Sequence, residues 1–326
     1  MGIATILAAV LWLCLGINDP GKQPNEFNAA AKALQPDCWW NWGVYDEAHF
    51  ADQTFVPSMF AVSDGGIANA VNLAKKYPGR TWLVYNEPEG SNGGQANVPA
   101  ATAAAQFTKL YTQMKAVDPG AVIACCGNIV STQGVDWMIA FMQATTVRPD
   151  RWHWHIYGAT DPTTWNYYAD YLDGWIATTG GKRPYYITET CGMWSGDQVA
   201  LLQHVASQQR PGLERVFWFS AYPEPYVPQW QCNLLNAERT PTPLGQAFGA
   251  LRITPTAEPP TRTPTSTRTA TATPTRTPTA TVTLTPTATR TPTVTPTPTA
   301  TLGEPTGEGN PGEPMRKTYL PIAGKE

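Results

Sequence analysis

The chain has 326 residues, 22 of them Lys or Arg and 25 Asp or Glu, for a formal net charge of −3. This weakly acidic balance, with no basic stripe, excludes a nucleic-acid partner. All 13 Trp precede residue 231, whereas Thr254–Leu302 is a Thr/Pro repeat almost without aliphatic side chains, so only about the first 253 residues can bury a core.

Taken in chain order, the sequence begins with an apolar run, Ile3 to Leu15, preceded by no Lys or Arg and followed by no small-x-small cleavage site. It is too short and too poorly flanked for a membrane span. Two readings stay open: a weak or truncated signal sequence over residues 1–14, or a first strand ending at Leu15-Gly16-Ile17-Asn18-Asp19. From there strand-like and helix-like stretches alternate, which predicts a parallel sheet with crossover helices. The strands are expected at Leu13–Asn18, Cys38–Trp42, Thr54–Met59, Trp82–Asn86, Val122–Cys126, Trp152–Ile156, Tyr185–Thr188 and Val216–Phe219. Helical patterns fall between them at 26–34, 64–77, 99–117, 134–145, 163–178 and 197–209, and a last one at 244–251 follows strand eight. Eight strands predict an α/β fold, a (β/α)8 TIM barrel over residues 15–253. Only if the N-terminal run supplies strand one does the count reach eight.

After Ile253 the chain changes character. The Thr/Pro repeat at 254–302 cannot pack and reads as a disordered linker rich in hydroxyls for O-glycosylation, with a reach of about 150 Å if fully extended. Residues 303–326 form a polar tail ending in a short apolar motif, Thr318 to Gly324, read either as a frayed terminus or as a cell-envelope attachment signal. The expected location is secreted or cell-surface associated, and the expected state a monomer.

Chemistry concentrates at strand ends. Trp82-Leu83-Val84-Tyr85 reads as a buried strand that Pro88 must stop, which leaves Asn86 and Glu87 at its C-terminal end. Tyr185-Tyr186-Ile187-Thr188 leads in the same way to Glu189. These are strands four and seven, so both carboxylates point to the catalytic face of a barrel. Two carboxylates across a mouth ringed by aromatic rings suit glycosidic-bond cleavage: one gives a proton to the leaving oxygen while the other attacks the anomeric carbon. Trp40, Trp42, Trp154, Tyr157, Trp194 and Trp218 are the strand-end aromatics proposed to meet sugar, although side-chain alternation turns about half of any strand's residues away from the axis.

His153 and His155 share one face of a strand, yet no further ligand has matching spacing; no metal and no cofactor are expected, and His155 is assigned to a catalytic carboxylate or a sugar instead. No GxSxG, GxGxxG or P-loop pattern occurs. The six cysteines have no zinc-ligand spacing; Cys191 and Cys232 could pair outside the cytosol, and each could equally be a buried thiol.

The segments Gly16-Ile17-Asn18-Asp19, Trp39-Trp40-Asn41-Trp42-Gly43, Phe55-Val56-Pro57-Ser58-Met59-Phe60, Asn86-Glu87-Pro88, His155-Ile156-Tyr157-Gly158 and Thr188-Glu189 resemble the clan of retaining (β/α)8 glycosidases. Within it, residues 15–252 are most similar to glycoside hydrolase family 128, the β-1,3-glucanases. The resemblance implies a polysaccharide substrate, with Glu87 as general acid/base and Glu189 as nucleophile. It implies that Asn86 holds the substrate 2-hydroxyl, that His155 and Tyr157 orient the second carboxylate, and that Trp218 is a sugar platform. The chain departs from the family pattern at Glu89, where Asp is usual, and at Cys191-Gly192-Met193-Trp194. A related barrel glycosidase acting on mannan, xylan or arabinan, and a carbohydrate-binding barrel without turnover, are the alternatives.

Overall fold

Alternation of short β-rich runs with amphipathic stretches leaves each strand only one way to bury both faces: side by side with parallel neighbours, under a layer of helices. The computed structural model describes residues 11–18, 24–43, 47–193, 196–224 and 230–251, and follows that logic. The strands are β1 (Trp12–Gly16), β2 (Trp39–Trp40), β3 (Ser58–Met59), β4 (Thr81–Val84), β5 (Val122–Ile129), β6 (Arg151–Ile156), β7 (Tyr185–Thr190) and β8 (Leu213–Phe219). The helices are α1 (Pro24–Leu34), α2 (Asp64–Lys76), α3 (Ala100–Val117), α4 (Thr132–Ala144), α5 (Pro162–Thr178), α6 (Gln198–Ala206) and α7 (Pro243–Ala250). All strand pairs are parallel, in the order β2-β1-β8-β7-β6-β5-β4-β3. The ring closes through a parallel bridge from Trp39 to Phe55, just ahead of β3. This is a TIM barrel.

The first-strand reading of the N-terminal run has its counterpart in β1. Trp12, Leu13 and Cys14 lie in β1, paired to Arg215, Val216 and Phe217 of β8, and make up three of its five residues. Residues 1–10, the Thr/Pro repeat and the tail lie outside the described residues, as do the linker and attachment readings that rest on them. Among the described residues, no helix is long and apolar enough to cross a membrane.

The barrel interior is filled by Cys14, Cys38, Trp40, Val56, Leu83, Ala124, Tyr186 and Phe217, each almost wholly buried. Their positions set the parity of the strands that carry them: Phe217 points inward, hence Trp218 points out and Phe219 in. Helix starts follow the expected chemistry. Ser63, Ser131, Asp161, Asp197 and Thr242 each accept a backbone N–H in the first turn, and Pro162 and Pro243 open their helices where no N–H is needed. All six cysteines are in disulfides: Cys14–Cys38, Cys125–Cys126 and Cys191–Cys232. The last joins the segment after β7 to the segment after β8, the pairing left open by the sequence.

Candidate active site

At the C-terminal ends of β4 to β7 the backbone leaves regular geometry. Tyr85 and Glu87 have φ of 71° and 46°, in the left-handed region that side chains avoid at a cost of about 1–3 kcal/mol each. The turn is held there by its hydrogen bonds: Glu87 N donates to the Gly127 carbonyl at 2.9 Å, and Gly90 N to the Glu87 carbonyl at 3.1 Å. Gly127 itself is left-handed, with φ 70°, and sits at a register shift of β5 between Cys126 and Asn128. A Cβ at this position would lie 2.8 Å from the Tyr85 carbonyl oxygen and 2.9 Å from the His153 ring. Gly127→Ala is therefore expected to cost about 3 kcal/mol, from the strained φ and the overpacking together. Thermal melting of the variant checks this, with unchanged stability contradicting the geometry.

The two candidate carboxylates meet. One oxygen of Glu87, one of Glu189 and a ring nitrogen of His155 all lie within 4.8 Å of one another, and all three residues are buried. His155 Nδ1 is 3.0 Å from Glu87 Oε1 and 3.4 Å from Glu189 Oε2. Tyr157 donates its hydroxyl to Glu189 Oε2 at 2.5 Å, and Gln95 Nε2 donates to Glu87 Oε2 at 2.9 Å. Burial alone would lower the pKa of His155; the carboxylates of Glu189 and Glu87 outweigh it, and the net shift is upward. Among the described residues, three atoms of metal-ligating type converge here, two of them from carboxylates that each already accept a hydrogen bond.

His153 is different. Its pKa falls to about 3, chiefly through burial, with the neighbouring His155 adding to the effect. As a neutral ring it donates Nε2–H to the Val84 carbonyl at 3.0 Å and accepts from the Thr188 hydroxyl at 2.9 Å, which uses both nitrogens. It ties β4, β6 and β7 together beneath the carboxylates.

Beside the carboxylates lies a pocket lined by Trp40, Trp42, Ser58, Met59, Asn86 and His155, among others. Trp42 is half-buried and, unusually for a large side chain, left-handed at φ 56°. Its indole N–H donates to Asn86 Oδ1 at 3.1 Å, and Asn86 Nδ2 donates to the Gly94 carbonyl at 2.9 Å. Trp40, at the floor, is only 3% exposed and donates to the Thr188 carbonyl.

Two predicted platforms are not in the site. Trp154 has 0% exposure, and its ring packs on Trp175 of the helical layer; with His153 and His155 facing inward, a β-strand must turn Trp154 outward. Trp218 is equally buried, with its N–H donated to the Cys232 carbonyl. A fully covered ring offers no face to a sugar. Trp194 lies outside the described residues. The inward position on β8 belongs instead to Phe219, whose ring meets Trp42 edge-on at 5.2 Å, and Trp230 packs 5.7 Å from Tyr157. Sequence reasoning missed Gln95, Phe219 and Trp230; for Phe219 the alternation from Phe217 was the available signal.

A third carboxylate adjoins the pair. Glu89 accepts from Ile129 N at 2.6 Å and from Asn128 Nδ2 at 2.9 Å, both at the end of β5. Burial is the main cause that pushes its pKa up to about 7, with Glu87 adding to the rise while the bond from Ile129 and the charge of His155 oppose it.

Residues 17–248 match the family model described as glycosyl hydrolase catalytic core. The chain belongs to that family. It is accordingly a glycosidase, an O-glycosyl hydrolase, and the barrel mouth is where such chemistry resides. Among solved structures it is similar to an endo-β-1,3-glucanase of family GH128, subgroup I, from Amycolatopsis mediterranei, with 21% identity, TM-score 0.53, and coverage of 74% of this chain and 99% of that one. A curdlan-specific exo-β-1,3-glucanase of subgroup III from Blastomyces gilchristii has 19% identity and TM-score 0.54, over 73% and 97% of the two chains. A subgroup VII oligosaccharide-binding protein from Cryptococcus neoformans has 15% identity and TM-score 0.50, over 74% and 93%. At these identities the likeness concerns the fold. No curated protein matches the chain.

Proposed function

We propose that this glycosidase is a retaining endo-β-1,3-glucanase, in which Glu189 attacks the anomeric carbon and Glu87 protonates the departing glycosidic oxygen. The observation that carries the reading is the approach of Glu87 and Glu189 oxygens to within 4.8 Å of each other. Retaining enzymes hold their carboxyl groups about 5–5.5 Å apart, whereas inversion needs about 6.5–9.5 Å to admit a water. Partner choice supports the division of labour. Glu189 takes a hydroxyl hydrogen from Tyr157, which favours an ionised nucleophile, while Glu87 stands between His155 and Gln95, donors that can fix its rotamer through two opposite protonation states.

In the first step the C1–O bond to the leaving chain breaks as the Glu189–C1 bond forms, and the Glu87 proton goes to the departing oxygen. In the second, Glu87 takes a proton from water, whose oxygen displaces Glu189 from C1, so both carboxyls return to their starting states. The β-1,3-glucan assignment draws on the two glucanase neighbours. Export is part of the proposal and is supported by three disulfides, which persist in oxidising surroundings.

Proton NMR of laminarin hydrolysis tests the reading: β-configured reducing ends should appear first and then mutarotate. Initial α-anomers would overturn retention, and calorimetric binding without product would favour an oligosaccharide-binding barrel.

Trp42 is partly exposed in the pocket and bonded to Asn86. Trp42→Ala is expected to raise KM about tenfold, equivalent to ~1.4 kcal/mol of lost stacking. Trp42→Phe keeps a face but frees Asn86, and should lower kcat more than it raises KM. Steady-state kinetics on laminarin separates the two, and an unaltered KM in Trp42→Ala would remove Trp42 from the substrate path.

A further inference from the structure

We infer that Glu89 is a positioning residue for Glu87: its carboxylate clamps the turn after β4 onto the end of β5, and so keeps the Glu87 carboxyl against His155. This rests on the acid/base role proposed for Glu87.

The turn needs such a clamp. It places two left-handed residues, Tyr85 and Glu87, within three positions, and relaxation of either would swing the Glu87 side chain away from the barrel axis. Glu89 is tied on three sides. Its Oε1 accepts the Ile129 backbone N–H, its Oε2 accepts the Asn128 amide, and its own carbonyl accepts Gln133 Nε2 of α4 at 2.8 Å. Together with the Glu87 N–H to Gly127 bond, four hydrogen bonds fasten residues 87–89 to residues 127–133. Asn128 is 0% exposed, so its amide is fixed and passes that rigidity to the carboxylate.

The chemistry of the surroundings argues against a packing role alone. Of the groups around Glu89, those from β5 and α4 are neutral, and the titratable ones are Glu87 and His155, both in the reacting cluster. Burying a carboxylate beside another carboxylate is unfavourable, as the upward shift of Glu89 reflects, and an apolar side chain would fill the same volume at less cost. What an apolar side chain could not do is accept the two donors of β5 at fixed distance.

Glu189 and the hydrogen bond and charge of Glu87 raise the His155 pKa, and the charge of Glu89 raises it as well, so the titration of His155 reports where Glu87 sits only in a variant that keeps the charge at position 89. The chain has only four His, so imidazole nitrogen NMR resolves the curve without any turnover. In Glu89→Ala the clamp is gone, and in Glu89→Asp the charge stays while the oxygens retract by one methylene. Glu89→Asp, which keeps the charge, should lower the His155 pKa through the displaced Glu87 carboxyl, and Glu89→Ala should lower it further because the charge is lost as well. Glu89→Ala should also lower kcat on laminarin at least about tenfold with KM within about threefold, and Glu89→Gln, which keeps an oxygen for Ile129 N, should recover much of the rate. An unmoved His155 titration in Glu89→Asp, or a melting temperature that falls while kcat stays at the wild-type value, would overturn the inference. Should Glu89→Ala not fold, the His155 titration and kcat of Glu89→Asp decide the matter. A wild-type protein that hydrolyses no glucan would sink the proposed activity, and the His155 titration would still decide the role of Glu89.

Discussion

Glu189→Gln is expected to lower kcat on laminarin by at least about 10⁴-fold, the scale on which enzymes lose rate when a covalent nucleophile is removed. The variant keeps the shape of the site. Gln can still accept the Tyr157 hydroxyl through its amide oxygen, so binding should persist and KM should change by less than about threefold. What is lost is an ionised oxygen able to form an ester at C1. Glu189→Ala provides the sharper test, because it vacates the space below the anomeric carbon. Added azide should then restore turnover and yield the α-glycosyl azide, one inversion at C1 in place of two. Residual activity of Glu189→Gln within tenfold of wild type, or rescue that gives only the β-azide, would remove Glu189 from the nucleophile's role.

The same residue shows how far the sequence could be read. Both candidate carboxylates stand where a short apolar strand runs out, at Asn86-Glu87-Pro88 after β4 and at Thr188-Glu189 in β7, and a strand's end in a parallel barrel has a defined place in space. All eight strands were legible for a related reason: a strand buried on both faces needs several consecutive apolar or aromatic residues, and the alternation of such runs with longer amphipathic stretches separates the two. The aromatic rings were harder. Trp154 and Trp40 look alike in sequence, yet the inward pair His153 and His155 turns Trp154 outward onto Trp175, while Trp40 closes the floor of the pocket. Parity along a strand could have separated Trp218 from Phe219. Gln95 and Glu89 could not have been found in this way, because they act from turns, where no period exists and where backbone strain at Tyr85 and Glu87 decides direction. The clamp on Glu89 depends on a register shift in β5 at Gly127 that no local pattern announces.

Glu87→Gln is expected to act differently from the change at Glu189, and the difference is what assigns the roles. Loss of the general acid should lower kcat on laminarin by about 10²–10⁴-fold, since an alkoxide of the leaving sugar must then depart without a proton. A substrate whose leaving group is already acidic, such as a dinitrophenyl β-glucoside of laminaribiose, needs no such help in the first step. For it the glycosyl-enzyme should form at close to the wild-type rate and then accumulate, because Glu87 is also the base that activates water. A burst of dinitrophenol followed by slow turnover is the expected trace. Azide needs no base and should accelerate the second step, giving the β-glycosyl azide, the opposite anomer from the Glu189→Ala product. The environment of Glu87 suits both halves of this duty. His155 Nδ1 and Gln95 Nε2 each donate to a different oxygen of the carboxyl, which leaves its plane fixed between the two steps. Equal losses on laminarin and on the activated substrate, with no burst, would mean that Glu87 positions substrate and that the proton comes from another group.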